Sequence, residues 1–166
     1  MKNNQPVEII KGALLLERKG KSFYQTVASQ TKSETVKQIF SMMAAEEEQH
    51  VRILTQQYVK LVHEGKLAEM HYDAQPTDVA SEVLNQKIRT EINAAGYEAA
   101  AISAAIGMED KAIEYYSSQA EKATSPIEKE LFQWLANWEK THLKLLIDLD
   151  NNLREDVWYD NNFWPE

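Results

Sequence analysis

The chain has 166 residues, the length of one ordinary domain, and no cysteine, which excludes disulfides, zinc ribbons, thiolate-bound iron and a thiol nucleophile. Its 26 acidic residues outnumber 18 basic ones, giving a formal charge of −8, so no basic surplus exists to neutralise nucleic-acid phosphates. The start, Met1 to Pro6, is polar, and no apolar run approaches the ~18 residues of a membrane span, so a soluble cytoplasmic protein is expected.

Five glycines and four prolines among 166 residues, with apolar positions recurring every three or four, describe helices rather than strands. The first helix opens at Pro6, which lacks an N–H and suits a first-turn position, and its inward stripe reads Ile10, Ala13, Leu14, Glu17, Gly20, Tyr24, Val27 and Ala28. Thr31 or Ser33 can cap the second, with Val36, Phe40, Met43, Glu47, His50, Leu54 and Leu61 facing inward. Residues 64–96 form a connection in which Pro76-Thr77-Asp78 reads as a turn, with Val79, Leu84, Ile88 and Ile92 suited to one short helix. A third long helix begins near Gly96 and carries Ile102, Ala105, Glu109, Tyr116 and Ala120. Ser125-Pro126-Ile127-Glu128 is a helix start signal, followed by Phe132, Leu135, Glu139, His142, Leu146, Leu149 and Leu153. The tail, 154–166, contains Trp158, Tyr159, Phe163 and Trp164 and is too aromatic for a free polar end, so it is expected to fold back on the helices or meet a second subunit.

The two halves repeat. A shift of 92 positions carries Glu17 onto Glu109, Tyr24 onto Tyr116, Ser33 onto Ser125, Phe40 onto Phe132, Glu47 onto Glu139 and His50 onto His142, without an insertion. Helical hairpins near 6–62 and 97–153, joined by a connection long enough to run the length of the helices, predict an all-α four-helix bundle with one long crossover, occupying 1–166 as one domain.

Four glutamates and two histidines stand where the stripes call for leucine. Glu47 and His50 share inward slots between Met43 and Leu54, Glu139 and His142 repeat this between Leu135 and Leu146, and Glu17 and Glu109 interrupt the stripes of helices 1 and 3. A lone carboxylate in an apolar interior costs several kcal/mol, so these groups must be paired, protonated or metal-bound. Two histidines cannot offset four carboxylates, whereas two divalent cations would, leaving both imidazoles neutral as nitrogen donors suited to iron or manganese. One Glu from each of two helices plus a Glu-x-x-His from each of the others is the di-metal carboxylate pattern of helical bundles.

On these residues the chain resembles the ferritin-like superfamily in its rubrerythrin-like branch, from about Pro6 to Leu153, including a Glu followed seven residues later by an aromatic (Glu17 with Tyr24, Glu109 with Tyr116). The resemblance implies two iron ions per chain, manganese being an alternative. It makes Glu17 and Glu109 terminal ligands, Glu47 and Glu139 bridging ligands, and His50 and His142 ligands to one ion each. It implies oxidation of the ferrous centre by hydrogen peroxide or dioxygen, and a homodimer in preference to a cage. Two departures qualify it. The four cysteines of a rubredoxin domain are missing, so reduction needs an external electron donor, and Ala112 stands where rubrerythrin carries an extra Glu, with Gly20 as its counterpart. That substitution keeps a bacterioferritin-type ferroxidase or iron-storage role in play. A purely structural bundle is the alternative from another class.

Several residues are read as structural. Tyr24 and Tyr116 suit either plain packing or a hydroxyl that donates to a ligand carboxylate across the bundle and orients it. Trp134 and Trp138 are taken as packing residues rather than an electron relay, and His63 and His71 as surface histidines. Glu46 and Glu48 are turned about 100° from Glu47 and are expected on a solvated face, as is Glu114.

Overall fold

The computed structural model describes residues 5–72 and 96–160, with backbone alone for 154–160. It contains four helices, α1 (Gln5–Gln30), α2 (Glu34–Glu64), α3 (Tyr97–Lys122) and α4 (Pro126–Asp160), and no strand among the described residues. The chain is the expected all-α, ferritin-like four-helix bundle.

The helix ends follow from local chemistry. Ser33 caps α2, its side chain accepting from the Val36 N–H at 3.2 Å. Gly65 closes the same helix in the left-handed region, φ 73°, and its N–H returns to the Leu61 carbonyl at 2.9 Å. Pro126 is the first residue of α4, where its missing N–H costs nothing. One boundary differs from the sequence reading, which ended the last helix at Leu153. The apolar stripe fades there, but no glycine or proline intervenes before Pro165, so the backbone stays helical to Asp160. The aromatic tail's contacts, and the turn and short helix expected over 76–92, lie outside the described residues.

Short links, 31–33 and 123–125, make hairpins of α1 with α2 and of α3 with α4. The hairpins meet with α1 antiparallel to α3. Tyr115 donates to the Ile9 carbonyl at 2.8 Å near one end, and Thr31 donates to Glu98 at 2.7 Å near the other. Gly12 permits the first approach, since a β-carbon there would stand 2.6 Å from the Tyr115 hydroxyl. It follows that α2 and α3 run parallel, so Glu64 and Tyr97 lie at opposite ends of the bundle and the connection has its whole length to return across. The 31 residues of α2 span roughly 46 Å at ~1.5 Å per residue, well within the reach of residues 65–96.

The return begins against the bundle. Gln57, buried on α2, clamps Ala68 from both sides, accepting from its N–H at 2.8 Å and donating to its carbonyl at 3.1 Å. Tyr72 then stacks on Trp134 of α4, ring centroids 5.0 Å apart.

The interior has three layers. One apolar cluster contains Val27, Val36, Phe40, Met43, Ile102, Leu146 and Leu149; a second contains Ile10, Leu54, Leu61, Tyr116, Leu131, Phe132 and Leu135. Each fully buried leucine or phenylalanine contributes about 1.5–3 kcal/mol relative to exposure, which is what holds the helices together. Between the clusters lies a layer of charge.

Candidate metal centre

That layer consists of Glu17 from α1, Glu47 and His50 from α2, Glu109 from α3, and Glu139 and His142 from α4, none more than 3% exposed. The three-residue spacing of Glu47–His50 and of Glu139–His142 turns each pair inward together, one turn from leucines of the adjoining apolar clusters. The structure therefore brings together all six residues singled out in the sequence.

Their ring nitrogens organise the cluster. His50 Nδ1 faces Glu17 Oε2 at 3.0 Å, Glu139 Oε1 at 3.2 Å and Glu47 Oε2 at 3.4 Å. His142 Nδ1 faces Glu139 Oε2 at 3.2 Å, with Glu47 Oε1 and Glu109 Oε1 each at 3.4 Å. Two four-residue groups result, Glu17-Glu47-His50-Glu139 and Glu47-Glu109-Glu139-His142, and within each the donor atoms all lie within 4.8 Å of one another. Glu47 and Glu139 belong to both.

The two tyrosines cross the bundle in reciprocal fashion. Tyr24 on α1 donates to Glu109 on α3, and Tyr116 on α3 donates to Glu17 on α1. Burial, reinforced by the adjacent carboxylates, raises both phenols well above their ordinary range, so they remain neutral donors.

Electrostatics divide the carboxylates into two kinds. Burial, then the charges of Glu47 and Glu139, pushes Glu17 well above the usual carboxylate range; burial and Glu139 push Glu109 up to about 8. Burial also acts against ionised Glu47, but hydrogen bonds from Glu17 and both histidines outweigh it and hold this carboxyl below the usual range. Glu139 is lowered too, the histidines prevailing over burial and the charge of Glu47. Burial disfavours charge on His50 and His142, yet the surrounding carboxylates raise both well above the ordinary histidine value. Without metal the cluster thus tends toward balance: the Glu47 and Glu139 carboxylates favour protonated imidazoles, and burial favours the neutral forms of Glu17 and Glu109.

This balance leaves polar atoms stranded. His142 Nδ1 and both oxygens of Glu139 are buried without a hydrogen-bond partner among the described residues, all on the side where the six residues converge. Oxygen and imidazole donors aimed at one another but poorly bonded suit divalent cations such as iron or manganese.

A cavity of about 330 Å³ lies between α1 and α3, lined by the carboxylates Glu17, Glu47, Glu109 and Glu139. Its lining also holds three repeat-related pairs, Gly20 with Ala112, Lys19 with Lys111 and Leu16 with Met108. The small residues leave space beside the carboxylates, and a β-carbon at Gly20 would already stand 3.4 Å from Glu47 Cδ.

One neighbour departs from the sequence reading. Glu46 does not lie on a solvated face: it is partly buried, and its Oε2 accepts from His142 Nε2 at 2.5 Å and from Trp138 Nε1 at 3.5 Å. The 100° turn from Glu47 carries it around α2 to the flank facing α4. The available signal was its repeat counterpart, Trp138, an apolar residue where a solvated position would be polar. Trp134 and Trp138 pack edge-on to His50, with ring centroids at 5.4 and 5.2 Å. Glu48 pairs with Lys21 and Arg52 near the surface, and Glu114, His63 and His71 are exposed, as expected.

A four-helix bundle with long crossover and a central layer of paired Glu-x-x-His segments defines a ferritin-like protein with a carboxylate-rich site able to hold metal. The family model described as Rubrerythrin matches residues 8–149, and the chain belongs to that family. No curated protein and no solved structure showed a significant match.

Proposed function

We propose that this is a di-iron protein of rubrerythrin type, whose reduced centre is oxidised by hydrogen peroxide or dioxygen in peroxide detoxification. The observation that carries this reading is the pair of overlapping four-residue groups sharing Glu47 and Glu139, opened toward a cavity. In it, Glu17 with His50 and Glu109 with His142 would hold one ion each, and Glu47 and Glu139 would serve both.

Two ferrous ions so held would supply the electron pair that, with two protons, takes hydrogen peroxide to two waters. The chain's own residues prepare the site. Tyr24 and Tyr116 orient Glu109 and Glu17. The cavity beside Gly20 and Ala112 admits an oxidant the size of peroxide, while the apolar clusters on either side exclude bulkier reductants. Re-reduction calls for an external donor, since no thiolate-held iron can form from this cysteine-free sequence. The reading includes a cytoplasmic homodimer; among the described residues no helix is long and apolar enough to cross a membrane.

Ferroxidase chemistry of bacterioferritin type is the second reading, and Ala112 favours it by leaving six protein ligands. Anaerobic loading with two ferrous ions per chain, followed by mixing with equimolar peroxide or dioxygen, tests both. Faster oxidation by peroxide supports detoxification. Equal rates with continued uptake of added ferrous iron support ferroxidase, and oxidation no faster than that of free ferrous ions sinks both, leaving a structural bundle or a site that only binds metal.

A further inference from the structure

The repeat relates the two halves of the centre, yet its outer flanks differ. Behind His142, Nε2 donates to Glu46 at 2.5 Å, a contact spanning α4 to α2. The equivalent place behind His50 is taken by Trp138, 92 positions after Glu46, and His50 Nε2 is buried with no hydrogen-bond partner among the described residues. Glu46 Oε2 also accepts from Trp138 Nε1 at 3.5 Å, so the two repeat-related residues, different in kind, touch and hold each other in place.

From this we infer that the two metal positions are unequal: the ion on the His142 side binds first and more tightly, with Glu46 as its positioning residue. The inference rests on the metal-centre reading above. With Nε2–H committed to a carboxylate, His142 has its orientation set and its Nδ1 turned to the cluster, and the carboxylate makes the imidazole a stronger donor. His50 turns the same nitrogen toward the cluster but, among the described residues, has the indole rings of Trp134 and Trp138 behind it, which fix its position by shape and add no negative charge. Both candidate positions include Glu47 and Glu139, so the difference lies in what stands behind each histidine. Removing such a supporting group typically costs about 10- to 100-fold in metal affinity.

Cobalt(II) titration of the metal-depleted full chain, followed by its visible absorption, reads this without any turnover. The wild type should fill in two resolved steps, the first at least about tenfold tighter. Glu46→Ala should weaken the first step by about 10- to 100-fold and merge the two, while Glu46→Gln, which keeps an acceptor for Nε2–H, should recover part of the difference. His142→Ala should remove the tight step and His50→Ala the weak one. Two indistinguishable steps in the wild type, or a tight step that survives Glu46→Ala, would overturn the inference while leaving the metal centre standing. Failure of the wild type to take up two ions would overturn both.

Discussion

The Tyr24 hydroxyl on α1 donates to the Glu109 carboxyl on α3, and so ties the wall of one hairpin to the charge layer of the other. Tyr24→Phe keeps the ring, which packs edge-on to Phe40 at 5.6 Å, and removes only the donor. The variant should fold normally and bind metal about 10- to 100-fold more weakly, checked by competition with a chelator. Unchanged affinity would reduce Tyr24 to packing.

Glu47→Ala should abolish the binuclear site, because this carboxylate belongs to both four-residue groups. Metal analysis after iron reconstitution should fall from two ions per chain to one or none. The metal-free variant should also be less stable by about 3–5 kcal/mol, since both histidines lose a buried carboxylate partner. Two ions retained in Glu47→Ala would contradict the assignment.

Metal and protons compete for the same atoms. In the metal-free cluster burial and mutual repulsion favour the protonated forms of Glu17 and Glu109, and the surrounding carboxylates favour protonated His50 and His142. Loading two divalent ions should therefore release protons, detectable with an indicator dye in weak buffer. No release would mean the ions bind elsewhere.

The same groups set the stability of the metal-free form. Glu17, Glu109 and both histidines have folded-state values raised above their unfolded ones, so their contribution is full below the unfolded values and is lost as pH rises through the folded ones. Glu47 and Glu139 are lowered, and their contribution disappears only in acid. The melting temperature of the metal-free protein should fall between about pH 5 and 9, spanning the value near 8 of Glu109. The metal-loaded protein should gain over it as pH rises, which calorimetry at several pH values would show.

Ala112→Phe should fill space beside the carboxylates without removing a candidate ligand. Two ferrous ions should still bind, while oxidation by peroxide and dioxygen slows severalfold in stopped-flow mixing. Unchanged rates would place the access route elsewhere.

Sedimentation should give the mass of a dimer. A stable monomer or a large hollow particle would each count against that part of the reading.

Much of this was legible in the sequence because a helix converts spacing directly into direction. Glu47 and His50, between Met43 and Leu54, had to point inward, and the 92-residue offset repeated the statement with Glu139 and His142. Glu46 escaped because a single helix predicts only an inner and an outer face. Its true surroundings arise where the flank of α2 meets the flank of α4, and only the three-dimensional bundle creates that seam. The end of α4 was misjudged for a related reason: the apolar stripe reports what is covered, whereas the backbone continues until a residue stops it.

Each hairpin contributes one glutamate found in a single four-residue group, one glutamate shared by both groups and one histidine, so two identical hairpins could in principle assemble the same cluster as a symmetric pair. Such a pair would be compelled to place the same side chain behind both histidines. Joining the hairpins through residues 65–96 lifts that compulsion, because positions 46 and 138 are then written separately. Glutamate in one and tryptophan in the other is a difference that a symmetric assembly could not encode. The long crossover is thus more than a strap between helices: it gives a two-fold architecture a left and a right.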